Sequence, residues 1–121
     1  MPGDHIRIDA SLAYVVSQLL KLDSERALDS LAKYPGSWRR MEIVGTTQNS
    51  NLVMSDYGHH PTEIIATLGA LKKAYPDKKL IVFFEPHQYS RTYELREEFA
   101  ASFKSADVTY ISDIYAARDI D

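Results

Sequence analysis

Leu80-Ile81-Val82-Phe83-Phe84 sets five apolar residues in a row between two helical patterns, and no other stretch restricts the fold as much. The run is short for a helix and too evenly apolar for a strand wetted on one face, so it predicts a central parallel strand covered on both sides. Upstream, Ile64, Ile65, Leu68 and Leu71 recur at helical spacing over 61–75, and Pro76-Asp77 turns the chain. Downstream, Leu95, Phe99 and Phe103 repeat every four residues over 92–104, and Val108-Thr109-Tyr110-Ile111 is extended again. With Asn51-Leu52-Val53-Met54 as a first strand the order is βαβαβ, which right-handed crossovers gather into one parallel sheet. Ligands of such sheets bind beyond the carboxyl ends of the strands.

The segment before this differs in period. Leu12, Val15, Val16, Leu19 and Leu20 mark a helix over 10–22 with Asp9 as its cap, and Ala27, Leu28 and Leu31 mark a second from Asp23-Ser24-Glu25 to the breaker Tyr34-Pro35-Gly36. Met41-Glu42-Ile43-Val44 and the strand at 51–54 flank a polar linker suited to a hairpin. A boundary near Arg40 divides a helical segment, 1–40, from an α/β region, 41–121.

Polar residues collect where ligands of a parallel sheet bind. Asp56, Tyr57, His59 and His60 follow the first strand, Glu85, His87, Gln88, Tyr89, Ser90 and Arg91 the second, and Ser112, Asp113 and Tyr115 the third. Loops are polar in any protein, but three consecutive loops supplying acids, imidazoles and a guanidinium to one rim form a stronger signal than any single residue. Pro61 and Glu63 suit a helix start, and His60 is placed to fix that turn.

Several chemistries find little support. Adjacent His59 and His60 cannot easily converge on one ion with Asp56 and His87, so no metal ligands are assigned. Tyr89-Ser90-Arg91 is not a nucleophile elbow, and Asp56 with Glu85 is no more than two acids in loops. No catalytic residue is assigned. Arg91, at a helix start, suits a carboxylate or phosphate through its bidentate fork, making an anion site the best inference from the residues. The formal charge of -3 and the lack of a basic run argue against nucleic acid. No apolar run approaches bilayer length and no signal segment is present, so no membrane partner is expected and the cytoplasm is the default location. Cysteine is absent, which excludes disulfides and thiolate metal sites.

Three stretches carry a family resemblance: Asp56-Tyr57-Gly58-His59-His60-Pro61-Thr62-Glu63-Ile64, Phe84-Glu85-Pro86-His87-Gln88-Tyr89-Ser90-Arg91-Thr92, and Arg39-Arg40-Met41-Glu42. Their order and spacing resemble the Mur ligases, within them the branch that joins L-alanine to UDP-N-acetylmuramate in peptidoglycan synthesis. The resemblance implies that 1–40 is the helical tail of a central ATPase domain and 41–121 the first part of a C-terminal Rossmann-like domain. It implies ATP with Mg2+ in a full-length parent, acyl-phosphate activation of the lactyl carboxylate, and attack by the amine of L-alanine. Tyr57, His59, Gln88 and Arg91 would then contact substrate or product, and Arg40 and Asp56 the nucleotide. Gln88 stands where a second arginine is usual, Ile6 and Asp9 where asparagines are usual, and Ser55 where a second acid is common. The chain lacks a Gly-x-x-x-x-Gly-Lys-Ser/Thr loop and so is expected to be inactive alone. Ending at Asp119-Ile120-Asp121, just past the third parallel strand, it reads as a fragment whose open sheet edge would permit self-association. Two alternatives stay open: the sister ligase that recycles tripeptides onto UDP-N-acetylmuramate, and a non-catalytic anion-binding α/β module.

Overall fold

A computed structural model describes residues 3–116. The expectation attached to Asp119-Ile120-Asp121 lies outside the described residues. The chain forms two compact units, Met1–Asp56 and Tyr57–Asp121.

In the first unit, α1 (Asp4–Leu19) and α2 (Ser24–Lys33) precede a hairpin of β1 (Glu42–Thr46) and β2 (Leu52–Ser55). Asp23 caps α2 as its type predicts, its carboxylate accepting from the Arg26 amide at 2.8 Å. Asp9 does not cap α1, which starts at Asp4 and carries Asp9 in its interior. His5, Ile6 and Arg7 are compatible with helix, so nothing halts the helix before Gly3. The apolar faces of both helices stay largely open, with Leu12, Val16 and Leu19 more than half exposed, because a lone helix pair has no second layer to cover it. The expected hairpin is present. Its turn is closed by the Thr47 amide donating to the Asn51 carbonyl (2.9 Å) and the Ser50 amide to the Thr47 carbonyl (2.9 Å), and a bulge falls between Ile43 and Gly45.

The second unit runs α3 (Pro61–Ala74), β3 (Ile81–Phe84), α4 (Tyr89–Glu94), α5 (Arg96–Ser102) and β4 (Val108–Ile111). The α/β class and the parallel pairing of the last two strands are as expected, with Ile81 opposite Val108 and Phe84 opposite Ile111. The βαβαβ order holds along the chain. Yet β2 is hydrogen-bonded to β1, so the parallel sheet among the described residues comprises β3 and β4.

Ile64 and Leu68 of α3 meet Phe99 of α5, and Val82, Phe84, Leu80, Leu95, Phe103 and Ala106 pack around them. The Phe84 ring contacts Phe99 and Phe103 at centroid distances of 5.6 and 5.2 Å. The expectation that β3 is covered on both faces is not met. Ile81 is half exposed and Phe83 is 79% exposed, stacking on Tyr110 at 4.9 Å, because α3 and α5 cover only the face carrying Val82 and Phe84. The single helix expected over 92–104 is two. It starts early, at Tyr89, and bends at Leu95 (φ -103°, ψ 20°), where the Leu95 side chain turns into the core.

Candidate functional site

The turn into α3 is held by a reciprocal cap. The Thr62 amide donates to His60 Nδ1 at 3.3 Å, and Glu63 Oε2 accepts from the amides of His59 (2.9 Å) and His60 (3.2 Å). These bonds satisfy donors that a helix start leaves open, and Pro61 at the first helical position has no N–H to satisfy. His60 thus takes the turn-fixing role its position predicts. The cap also sets the loop before it. His59 Nδ1 donates to the Tyr57 carbonyl at 3.0 Å, the two rings meet edge-on at 5.2 Å, and the same His59 nitrogen lies 3.6 Å from Glu63 Oε2. Tyr57 and His59 therefore form one element, in which Tyr57 is 46% exposed.

Beyond β3 and β4 the sheet continues as a strap. His87 and Tyr115 form a parallel bridge, with the Gln88 amide donating to the Tyr115 carbonyl and the Tyr115 amide to the Pro86 carbonyl, each at 2.8 Å. The His87 ring lies 5.2 Å from the Tyr115 ring, and His87 Nε2 is 3.3 Å from Glu85 Oε2. Gln88 follows with φ 71° and ψ 123°, a conformation that L residues rarely adopt. That twist opens α4, whose third residue is Arg91. The guanidinium folds back, donating from Nη2 to the His87 carbonyl at 2.8 Å. Its Nε is buried with no hydrogen-bond partner among the described residues. A buried cationic N–H left unsatisfied is costly.

Arg40 and Asp56 belong to the first unit. Asp56 Oδ2 accepts from the Met41 amide at 2.9 Å, joining the entry of β1 to the exit of β2, and Met41 is 4% exposed. The site residues predicted from sequence thus fall into three groups: Tyr57 with His59, Gln88 with Arg91, and Asp56 beside the Arg40-Met41 backbone. Sequence reasoning placed His87 and Tyr115 on successive loops but missed their pairing, since a single parallel bridge has no periodic signature. Among the described residues no group of three histidines or acids is placed to hold a metal, and no helix is long and apolar enough to cross a membrane.

A parallel α/β unit whose post-strand loops are strapped together places Arg91 at the rim beyond the carboxyl ends of its strands. The chain belongs to the Mur ligase family: residues 39–120 match the family described as Mur ligase, glutamate ligase domain. It is 43% identical over 119 residues to the UDP-N-acetylmuramate--L-alanine ligase of Hydrogenobaculum sp., covering 98% of this chain and 26% of that protein. It is 45% identical over its whole length to the ligase of the same name from Caldanaerobacter subterraneus, again covering 26% of the relative. The chain therefore spans about a quarter of the length of the curated relatives it matches. The crystal structure of the UDP-N-acetylmuramate-alanine ligase of Thermotoga maritima superposes with a TM-score of 0.81 at 28% identity, over 97% of this chain and 26% of that one. A murein peptide ligase from Psychrobacter arcticus gives a TM-score of 0.58 at 23% identity, over 93% of this chain and 30% of that one, a likeness of fold alone.

Proposed function

We propose that this chain is the part of a UDP-N-acetylmuramate--L-alanine ligase that holds the amino-acid carboxylate of substrate or product. The observation that carries this reading is Arg91, a cation positioned at the rim by the bond from its Nη2 to the His87 carbonyl. A carboxylate suits this donor, and Gln88 can add a neutral hydrogen bond. Tyr57 and His59, fixed by the α3 cap, supply a phenol and an imidazole to the same ligand. The 43–45% identity to alanine ligases favours this reading over the tripeptide-recycling sister enzyme.

In the parent protein the partners are UDP-N-acetylmuramate, L-alanine and ATP, in the cytoplasm. Residues 1–40 are assigned to the end of the ATPase domain and 41–121 to the start of the C-terminal domain. Arg40 is assigned to the nucleotide's phosphates and Asp56 to its ribose hydroxyls. The chain carries no phosphate-binding loop, so no catalytic step is assigned to it. By itself the chain is a binding module without ligase activity. The outer edges of the β3–β4 pair give it a route to self-association, which sedimentation at rising concentration would reveal.

Amide spectra recorded while UDP-N-acetylmuramoyl-L-alanine is added test the assignment. Saturable shifts at Tyr57, His59, Gln88 and Arg91 are expected. A well-dispersed spectrum that does not respond would refute carboxylate binding by this chain.

A further inference from the structure

We infer that Tyr115, on the loop after β4, is a positioning residue for Arg91: its ring holds His87, and His87 sets where the guanidinium stands. The inference rests on the reading of Arg91 as the carboxylate contact and adds what orders that contact before a ligand arrives.

Every link between the two residues is a direct contact. The Tyr115 ring lies 5.2 Å from the His87 ring at an interplanar angle of 54°. His87 Nε2 is also 3.3 Å from Glu85 Oε2, so the imidazole is engaged by a carboxylate as well as by a phenol ring. The carbonyl of the same His87 accepts Arg91 Nη2 at 2.8 Å. Arginine has much rotamer freedom to lose, and an acceptor that is itself held in place removes that freedom before binding. Tyr115 reaches the guanidinium only through His87.

Gln88 shows what the clamp restrains. Its φ of 71° and ψ of 123° are costly for an L residue, and such a conformation persists only where its surroundings over-determine it. Here the Gln88 amide donates to the Tyr115 carbonyl at 2.8 Å, while the Gln88 carbonyl accepts from the Thr92 amide at 3.1 Å and from Thr92 Oγ1 at 2.8 Å. This residue turns the chain from the strap into α4, and so aims Arg91 back at His87. The backbone bonds of Tyr115 are open to any residue at that position. Because the His87–Tyr115 bridge is an isolated one, the contact between the two rings is what the side chain adds to hold it. Loosening that contact lets Gln88 relax and carries the His87 carbonyl away from Arg91. The loop after β4 therefore tunes a ligand contact made by the loop after β3.

The test records the Arg91 guanidinium signals by NMR in the 121-residue chain and in Tyr115→Phe, Tyr115→Ala, His87→Ala and Tyr110→Ala, each with and without UDP-N-acetylmuramoyl-L-alanine. Tyr110 stacks on Phe83 at 4.9 Å, outside the strap, so Tyr110→Ala removes a comparable ring contact and controls for lost stability. Separate Nη proton signals, the mark of a guanidinium held by an acceptor, are expected in the parent chain, Tyr115→Phe and Tyr110→Ala. In Tyr115→Ala and His87→Ala they should average, with affinity for the ligand lowered about fivefold, the scale of one lost aromatic contact. Tyr115→Phe should bind as the parent does. Separate signals persisting in Tyr115→Ala, equal losses in Tyr110→Ala, or an affinity that does not follow the Arg91 signals would each overturn the inference. A parent chain that ignores the ligand while Tyr115→Ala still frees Arg91 would refute the carboxylate reading and leave the positioning role standing. Tyr115 is 58% exposed, so dispersed amide spectra are expected in its variants, and His87→Ala reads the same loss from the other ring of the pair.

Discussion

Asp107 and Lys72 meet at 2.6 Å, and the same carboxylate oxygen accepts the Leu80 amide at 2.6 Å, so one acid joins α3 to the start of both parallel strands. Lys72 first, and then the Leu80 amide, hold the Asp107 carboxyl below its ordinary value of 3.8. A carboxyl with a lowered folded-state pKa stabilises the fold fully above its unfolded pKa, and that contribution is lost as pH falls through the lower folded value. Urea midpoints should therefore drop on acidification below about pH 4, where the unfolded carboxyl begins to bind protons. Asp107→Asn should lower the neutral-pH midpoint and flatten this acid limb. An unchanged limb in the variant would show that other carboxyls set it.

Gln88 carries the strain of the rim in its backbone, at φ 71°. Gln88→Gly should raise stability by about 1 kcal/mol, since glycine adopts this conformation without the steric cost. Gln88→Val should lower it by at least as much. Thermal unfolding of the two variants beside the parent chain measures both.

Arg91→Ala should weaken UDP-N-acetylmuramoyl-L-alanine by roughly tenfold or more, the scale of a lost hydrogen bond to a charged group. Arg91→Lys should restore only part of this, because an ammonium keeps the charge and loses the fork. Shifts at the His87 and Gln88 amides are expected in both variants, since the Nη2 bond to the His87 carbonyl goes with the guanidinium. Ligand titrations followed by amide shifts give the affinities and the local response together.

His60 and Glu63 cap α3 jointly, so His60→Ala and Glu63→Ala should each cost about 1 kcal/mol. His60→Asn should be nearly neutral, because asparagine is also a strong N-cap. The reciprocal cap further predicts that the double alanine variant loses less than the sum of the two. Denaturant unfolding of the four variants settles the cycle.

The elements readable in advance were those with local chemical punctuation. Asp23 before α2 and Pro61 with Glu63 at α3 each marked a boundary the structure keeps, and the polar linker 45–50 marked the hairpin, although β1 runs on through Gly45 and Thr46. Asp9 misled because a good capping residue is also tolerated inside a helix, and only the absence of a breaker upstream decides between the two. The Leu80–Phe84 run misled in another way. Continuous apolarity reports what a strand could bury, whereas coverage depends on how many layers surround it, and here Phe83 faces outward. At the rim, residue types pointed to Arg91 and His87, but the folding-back of the guanidinium and the His87–Tyr115 bridge come from three-dimensional closure and leave no trace in spacing.

That bridge limits how this rim can diverge. Because pairing resumes at His87 and Tyr115, the stretch from Phe84 to His87 and the stretch from Ile111 to Tyr115, one residue longer, are fixed relative to each other. Inserting or deleting one residue in either would shift the register on one side only and separate Gln88 from Tyr115. Relatives with this strap can retune the rim by exchanging side chains, while changes of loop length are confined to places outside it, such as the hairpin turn between β1 and β2.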